Sequence, residues 1–398
     1  MRISPAQTLA ALAEHKNVLL YGPPGTGKTW LLSNILNLLN SRPKPGGGRP
    51  VLNVGNRDEL FGAAGEGDVD LPLPVKITVD WVTFHQSYSY EEFILGKFPL
   101  PKEGGVVLQP FFGLLMNAAI NLSEAGPEAG HIIIIDELNR ANASQVFGEF
   151  ITLLDSDYRA TIKGEENPHA LSIRLPGIRY KDGVSEPIGR FANDEFYQLP
   201  DDWKFPENLY ILATMNSVDR AALPLDSALT RRFFQLKMAP DLVHLAARLD
   251  VDLAALGVKA NALREPNAGG AEALTAEECS ILLLDRLNII IASELGKDFE
   301  LGHALLMDVE RASAENKWAA LVSVWDSKIY PQLSERFLQD SDTMREILKA
   351  TTPDVVGEFI FERGQIGQGP KPNASIEVKD FSNGSLEAAT EVLRHLAL

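Results

Sequence analysis

One stretch limits the folds open to this chain more than any other. Leu20-Tyr21-Gly22-Pro23-Pro24-Gly25-Thr26-Gly27-Lys28-Thr29 follows the apolar run Asn17-Val18-Leu19-Leu20 and precedes a helical pattern, Trp30 to Asn40. Strand, glycine-rich loop and helix in that order form a phosphate cradle. Glycines let the loop curl so that backbone N–H groups converge on one point. The helix N-terminus adds its positive dipole end there. The expected nucleotide-binding set is Gly22, Pro23, Pro24, Gly25, Thr26, Gly27, Lys28, Thr29 and Trp30. Lys28 would reach the β- and γ-phosphates, and the Thr29 hydroxyl would ligate Mg²⁺. The plainer reading is a glycine-rich turn without a ligand. It does not account for Gly22, Gly27, Lys28 and Thr29 standing together between strand and helix.

A second apolar run, Ile132-Ile133-Ile134-Ile135, ends in Asp136-Glu137. Four successive isoleucines suit a central parallel strand buried on both faces. Downstream of the phosphate loop, Asp136 would hold the metal through water and Glu137 would polarise the attacking water. Leu209 to Met215 reads as another buried strand, tipped by Asn216. With Asn17–Leu20, Trp81–His85 and Phe233–Leu236 this makes five strand-like segments.

The 398 residues suit two or three domains. Net charge is −17, from 37 basic and 54 acidic residues, which argues against chain-wide attraction to nucleic acid. The single cysteine, Cys279, excludes an internal disulfide and a cysteine-built zinc site. It lies in an apolar helical run and reads as a small core residue. Met1 to Lys16 lacks the apolar core and cleavage pattern of a signal peptide. No apolar run is long enough to span a bilayer. A cytoplasmic protein with no membrane contact is expected.

Residues 3–15 read as a helix starting at Ser4-Pro5. Residues 41–76 and 156–206 read as insertions. The first has one short helix near Asp58–Ala64. The second has a hairpin from Arg159–Lys163 and Leu171–Leu175. Helical spacing is expected over Leu108–Ser123 and Ser144–Asp155. From Pro240 the patterns are helical, over Leu242–Leu249, Ala276–Leu295, Ala314–Ile329 and Ser341–Leu348. Phe359–Phe361 and Ile376–Phe381 read as two short strands, and Gly384–Ala397 as a closing helix. The expected division is an α/β nucleotide-binding core over 1–239, an α-helical lid over 240–348 and a small α+β extension over 349–398.

This set of motifs resembles the AAA+ class of ring-forming NTPases, and within it the McrB-type proteins. Phe84-His85-Gln86-Ser87-Tyr88-Ser89-Tyr90-Glu91-Glu92-Phe93-Ile94-Leu95-Gly96 is similar to the family's segment before the acidic strand. So are Asp136-Glu137-Leu138-Asn139-Arg140-Ala141-Asn142 and Met215-Asn216-Ser217-Val218-Asp219-Arg220. In the latter Ser217-Val218 stand where the family usually has Thr-Ala. Leu225 to Phe233 resembles the arginine-bearing helix, with Thr230 where a third arginine is frequent. Phe299-Glu300-Leu301-Gly302-His303 and Ile329-Tyr330-Pro331-Gln332-Leu333 fit the lid. The resemblance covers roughly residues 10–348.

The resemblance implies a parallel five-stranded core with a helical lid, GTP hydrolysis, a hexameric ring and stimulation by an McrC-like nuclease. The residues themselves leave GTP and ATP both open. Asn216, at the tip of its strand, is read as a γ-phosphate sensor. Arg231 and Arg232 are candidates for an arginine finger supplied to the neighbouring copy, or they cap their own helix C-terminus. Asp219 and Arg220 are read as interface or sensor groups. Arg140 either pairs across a subunit boundary or forms a surface ion pair. His303 either approaches the nucleotide or is a satisfied core histidine. No nuclease constellation is visible, so cleavage would belong to a partner. Many McrB proteins carry an N-terminal DNA-reading domain. Here about sixteen residues precede the phosphate-loop strand, so DNA specificity is expected from a partner, from 156–206 or from the tail. A MoxR-type ATP-dependent remodelling protein and a nucleotide-gated scaffold are the alternatives.

Overall fold

The computed structural model describes residues 3–41, 52–53, 73–74, 76–102, 105–161, 166–190, 195–218, 223–265, 272–338, 340–350, 359–363 and 375–398. The expected helix near Asp58–Ala64 lies outside them. Two compact units are present. One holds the chain up to Tyr21 and Lys28–Met238; the other holds Ala239–Leu398 together with the loop Gly22–Gly27.

The first unit is built on a parallel sheet in the order Phe234–Lys237, Asn17–Gly22, Leu209–Asn216, Ala129–Asp136, Lys76–Thr83, Leu52–Asn53. The five expected strands are there, and the two-residue strand Leu52–Asn53 extends the Lys76–Thr83 edge in parallel. Strand side chains alternate between faces, and the apolar clusters follow that period. Val18, Leu20, Ile132, Ile134, Tyr210 and Leu212 join the helices Pro5–His15 and Lys28–Ser41 on one face. Leu19, Ile133, Ile135, Ile211 and Ala213 join Leu115, Phe147 and Phe150 on the other. Each isoleucine of 132–135 is fully buried. Such burial contributes roughly 1.5–3 kcal/mol per side chain relative to exposure. A parallel register sets Thr83 opposite Asp136 and Ala213 opposite Ile135, so the polar tips gather along one sheet edge. Ligands of open α/β sheets bind at that edge.

The first helix begins as its sequence dictates. Ser4 Oγ accepts from the Gln7 N–H, the Gln7 side chain accepts from the Ser4 N–H, and Pro5 is the first helical residue.

Three expectations are corrected in this unit. Leu108–Ser123 is not one helix. Leu95–Lys102 and Gly105–Phe112 form an antiparallel hairpin, and the helix starts at Leu114. Gly113 separates them, because a Cβ there would stand 2.3 Å from the Phe93 carbonyl carbon. Pro99 and Pro101 sit in the edge strand of this second sheet, where a missing N–H leaves no ladder bond unmade. Ser144–Asp155 is not one α-helix either. Ala143–Phe147 is α-helical and Gly148–Leu154 winds as a 3₁₀-helix. Gly148 takes φ +52°, with the Tyr90 ring 2.9 Å from where a Cβ would be. Finally, Arg159–Lys163 and Leu171–Leu175 do not pair as a hairpin among the described residues. Ala160 bridges to Pro206 and Ser172 to Lys204. Arg159 turns inward instead, donating to the carbonyls of Leu153, Leu154 and Leu209 and to Asn17 Oδ1.

The second unit is mostly helical: Leu242–Leu249, Leu253–Arg264, Ala276–Glu294, Met307–Arg311, Lys317–Val324, Tyr330–Arg336, Ser341–Leu348 and Leu386–Ala397. Ile360–Arg363 and Ser375–Val378 pair antiparallel. Phe359, Phe381, Leu393 and Leu396 share one apolar cluster with Leu283, Leu287, Val322 and Trp325. The Asp326 carboxylate accepts from the Phe381 and Ser382 N–H groups at 2.9 and 2.8 Å. Cys279 is fully buried in this cluster. No helix among the described residues is long and apolar enough to cross a membrane.

Candidate active site

The loop after the first strand has the conformation its glycines allow. Gly25 and Gly27 lie at φ +76° and +90°, a region that costs most other residues strain. The Thr26 hydroxyl donates to the Pro23 carbonyl at 3.0 Å and is buried with it. Helix Lys28–Ser41 begins directly after. Lys28 is only 7% exposed. Burial pushes its ammonium pKa down to about 8, against the opposing pull of Glu137 and Asp136. Thr29 and Trp30 are exposed.

Asp136 and Glu137 stand at the end of Ala129–Asp136 and do different things. Asp136 Oδ1 accepts from the Thr214 hydroxyl at 2.5 Å. The same Thr214 oxygen accepts from the Glu137 N–H at 3.1 Å. Glu137 itself is left-handed, φ +59° and ψ +49°. That turn carries its carboxylate toward the neighbouring strand, where Oε1 accepts from Asn216 Nδ2 at 2.6 Å. Strain of this sort in a non-glycine residue clusters at functional sites. Arg140 Nε lies 3.7 Å from Glu137 Oε2, an ion pair within the turn Glu137–Arg140. Asn139 donates from Nδ2 to the Asn216 carbonyl at 3.0 Å. Lys28, Asp136, Glu137 and Asn216 are thus brought together within the first unit.

The arginines are not part of that cluster. Both follow the short helix Ser227–Thr230, capped by Asp226. Arg232 Nη1 donates to the Ala228 carbonyl at 2.6 Å, one turn back. Its own carbonyl accepts from Asn17 Nδ2 at 3.1 Å. Arg231 is exposed and forms no ion pair among the described residues. The expected Asp219 and Arg220 lie outside the described residues. In the second unit His303 is buried, its Nδ1 accepting from the Asp241 N–H at 3.1 Å.

Sequence reasoning missed Thr214 and Asn139. Thr214 is 2% exposed in a largely apolar strand two residues before Asn216. A short hydroxyl side chain near the strand tip was the available signal. Asn139 stood inside the family-like segment Asp136–Asn142, but its contact depends on the turn geometry at Glu137.

The donor set suits a hard divalent cation. Asp136 and Thr29 offer oxygen only, and among the described residues no group of three or more His, Cys, Asp or Glu forms a metal cage. Mg²⁺ is held in just this way, by one or two protein oxygens with phosphate and water completing its shell.

Comparison with known proteins accords with the geometry. Residues 79–233 match the family described as "AAA domain (dynein-related subfamily)", and residues 280–345 match "McrB, alpha-helical lid domain". A parallel P-loop sheet with acidic and amide strand tips, followed by a helical lid, defines the AAA+ class. The chain is similar to the type IV methyl-directed restriction enzyme EcoKMcrB subunit of Escherichia coli K12, 30% identical over 339 residues. It is also similar to the type II restriction enzyme BsuMI component YdiS of Bacillus subtilis 168, 28% identical over 231 residues. These alignments take in 83% and 55% of this chain, and the chain spans 56% and 55% of the two relatives. Among solved structures, C. elegans PCH-2 aligns with 98% of the chain and 66% of its own at 14% identity, with a TM-score of 0.26. The two matched segments, an AAA domain and behind it an McrB-type lid, are those of an McrB-type AAA+ protein.

Proposed function

We propose that this chain is a Mg²⁺-dependent nucleoside-triphosphate hydrolase acting as a ring of identical subunits, hexameric by resemblance. It drives DNA movement and restriction together with an McrC-like partner nuclease in the cytoplasm, with GTP or ATP as fuel. The domain division that goes with this function is core 1–239, lid 240–348 and extension 349–398.

The observation that carries the reading is the pairing of Glu137 with Asn216 beside Asp136 and buried Lys28. Lys28 answers phosphate charge. Thr29 and Asp136 would hold Mg²⁺, which when bound neutralises charge on the phosphates. Glu137 holds an attacking water and accepts its proton. Asn216 keeps Glu137 in place and reports on the γ-phosphate. Arg231, exposed at its helix end, reaches a neighbouring copy's nucleotide, while Arg232 is engaged with its own helix. Restriction as the context comes from the similarity to EcoKMcrB and YdiS.

The test is turnover of GTP and of ATP with Mg²⁺, with and without DNA and an McrC-like nuclease. Stimulated GTP turnover with nuclease bound is the expected result. A strong ATP preference with no nuclease bound contradicts the McrB-type motor.

A further inference from the structure

The loop Gly22–Gly27 and the C-terminal helices form one compact unit. Its tightest point is between two glycines far apart in sequence. A Cβ on Gly302 would stand 2.1 Å from the Gly25 carbonyl carbon, 2.3 Å from its oxygen and 2.3 Å from the Pro24 oxygen. No side chain fits there, so the backbones touch directly. Two residues past Gly302, the Ala304 N–H donates to the same Gly25 carbonyl at 2.9 Å.

The turn that makes these contacts is itself fixed from behind. Asn288, buried on helix Ala276–Glu294, clasps Leu301 at both backbone groups. Its Nδ2 donates to the Leu301 carbonyl at 3.0 Å and its Oδ1 accepts from the Leu301 N–H at 2.6 Å. The Leu305 N–H closes the turn on the Gly302 carbonyl at 3.2 Å. His303 anchors it once more through the Asp241 N–H at 3.1 Å.

We propose that the turn Leu301–Ala304 is a positioning element for the phosphate loop, with Gly302 and the Ala304 N–H setting the conformation of Gly25. Gly25 is the loop residue at φ +76°. Its peptide orientation decides where the following N–H groups point. The turn therefore supplies, from Asn288 outward, a rigid seat for the phosphate cradle. A displacement of the turn moves Gly25 with it. This inference rests on the reading of the chain as a nucleotide hydrolase.

The experiment measures the dissociation constant of a fluorescent GTP or ATP analogue with Mg²⁺, alongside thermal unfolding of the unliganded protein. Gly302→Ala forces the two backbones apart and is expected to raise Kd at least about tenfold. Ala304→Pro deletes one N–H donor and is expected to raise Kd about fivefold, the worth of one hydrogen bond. In both, saturating nucleotide restores most of kcat; the unliganded melting temperature falls by no more than about 2 °C in Ala304→Pro, and in Gly302→Ala by less than the Kd loss accounts for. If Gly302→Ala fails to fold, Ala304→Pro decides. A Kd within about twofold of wild type for the folded variants, or a Kd loss matched by equal destabilisation of the unliganded protein, overturns the inference. A wild-type protein that binds neither nucleotide overturns the hydrolase reading instead, and the inference with it.

Discussion

Asn216 Nδ2 donates to Glu137 Oε1 at 2.6 Å, joining the tips of two adjacent parallel strands. The bond exists because Glu137 is left-handed and Leu209–Asn216 is in register with Ala129–Asp136. Asn216→Ala removes this amide from the Glu137 carboxylate. Turnover is expected to fall about 10²-fold, the scale of a misdirected general base. Nucleotide affinity stays within a few-fold. Equal turnover in the variant, measured at saturating nucleotide, contradicts the positioning role.

Thr214 ties Asp136, the proposed metal ligand, to Glu137, the proposed base. Its hydroxyl donates to Asp136 and accepts from the Glu137 N–H. Thr214→Val keeps the shape and removes both bonds. Unfolding free energy is expected to drop by about 1–3 kcal/mol, the cost of leaving a buried polar group without a partner. The apparent Mg²⁺ requirement should rise in the same variant. Urea unfolding and a Mg²⁺ titration of turnover check the two effects separately.

Lys28 gives a pH signature of two opposite signs. Its pKa is lowered from 10.5 to about 8 by burial. Between those values the unfolded chain binds more protons than the folded one. Its contribution to unliganded stability therefore rises with pH across that window. If Lys28 answers phosphate as proposed, nucleotide binding is expected to weaken as pH passes about 8. Comparing wild type with Lys28→Met isolates the effect, because Lys349 is also lowered to about 8. Parallel pH profiles for the two proteins would contradict it.

Arg231 and Arg232 are distinguished by their surroundings. Arg232 is engaged with the Ala228 carbonyl and Arg231 is exposed. Arg231→Ala is expected to reduce turnover by about 10³-fold or more. Mixing it with a Lys28→Ala protein should restore part of the activity, since one intact site then forms between unlike copies. Arg232→Ala should lower stability by about 1 kcal/mol and affect turnover less. Mixed assemblies that stay inactive argue against a finger acting on the neighbour.

The sheet was legible because apolar runs such as Ile132–Ile135 need burial on both faces. The acidic and amide tips were legible because parallel strands carry ligands at one edge. What stayed hidden depended on contacts between distant segments. The hairpin Leu95–Phe112 was masked by its prolines, which an edge strand tolerates. The helix break at Gly148 follows from the Tyr90 ring, 58 positions earlier in the sequence by the difference of the two residue numbers. The abutment of Gly25 on Gly302 leaves no pattern at all, because its signal is a missing side chain. Thr214 was hidden by its apolar neighbours, and its meaning comes only from the register with Asp136.

The central claim is that Glu137 is the base of a nucleotide hydrolase. Glu137→Gln keeps the size of the side chain and removes its basicity. The decisive measurement is single-turnover hydrolysis by this variant, with binding of the same nucleotide followed in parallel. The account predicts binding close to wild type and hydrolysis slowed by about 10²–10⁴-fold. Hydrolysis at the wild-type rate by a variant that binds nucleotide normally would contradict it.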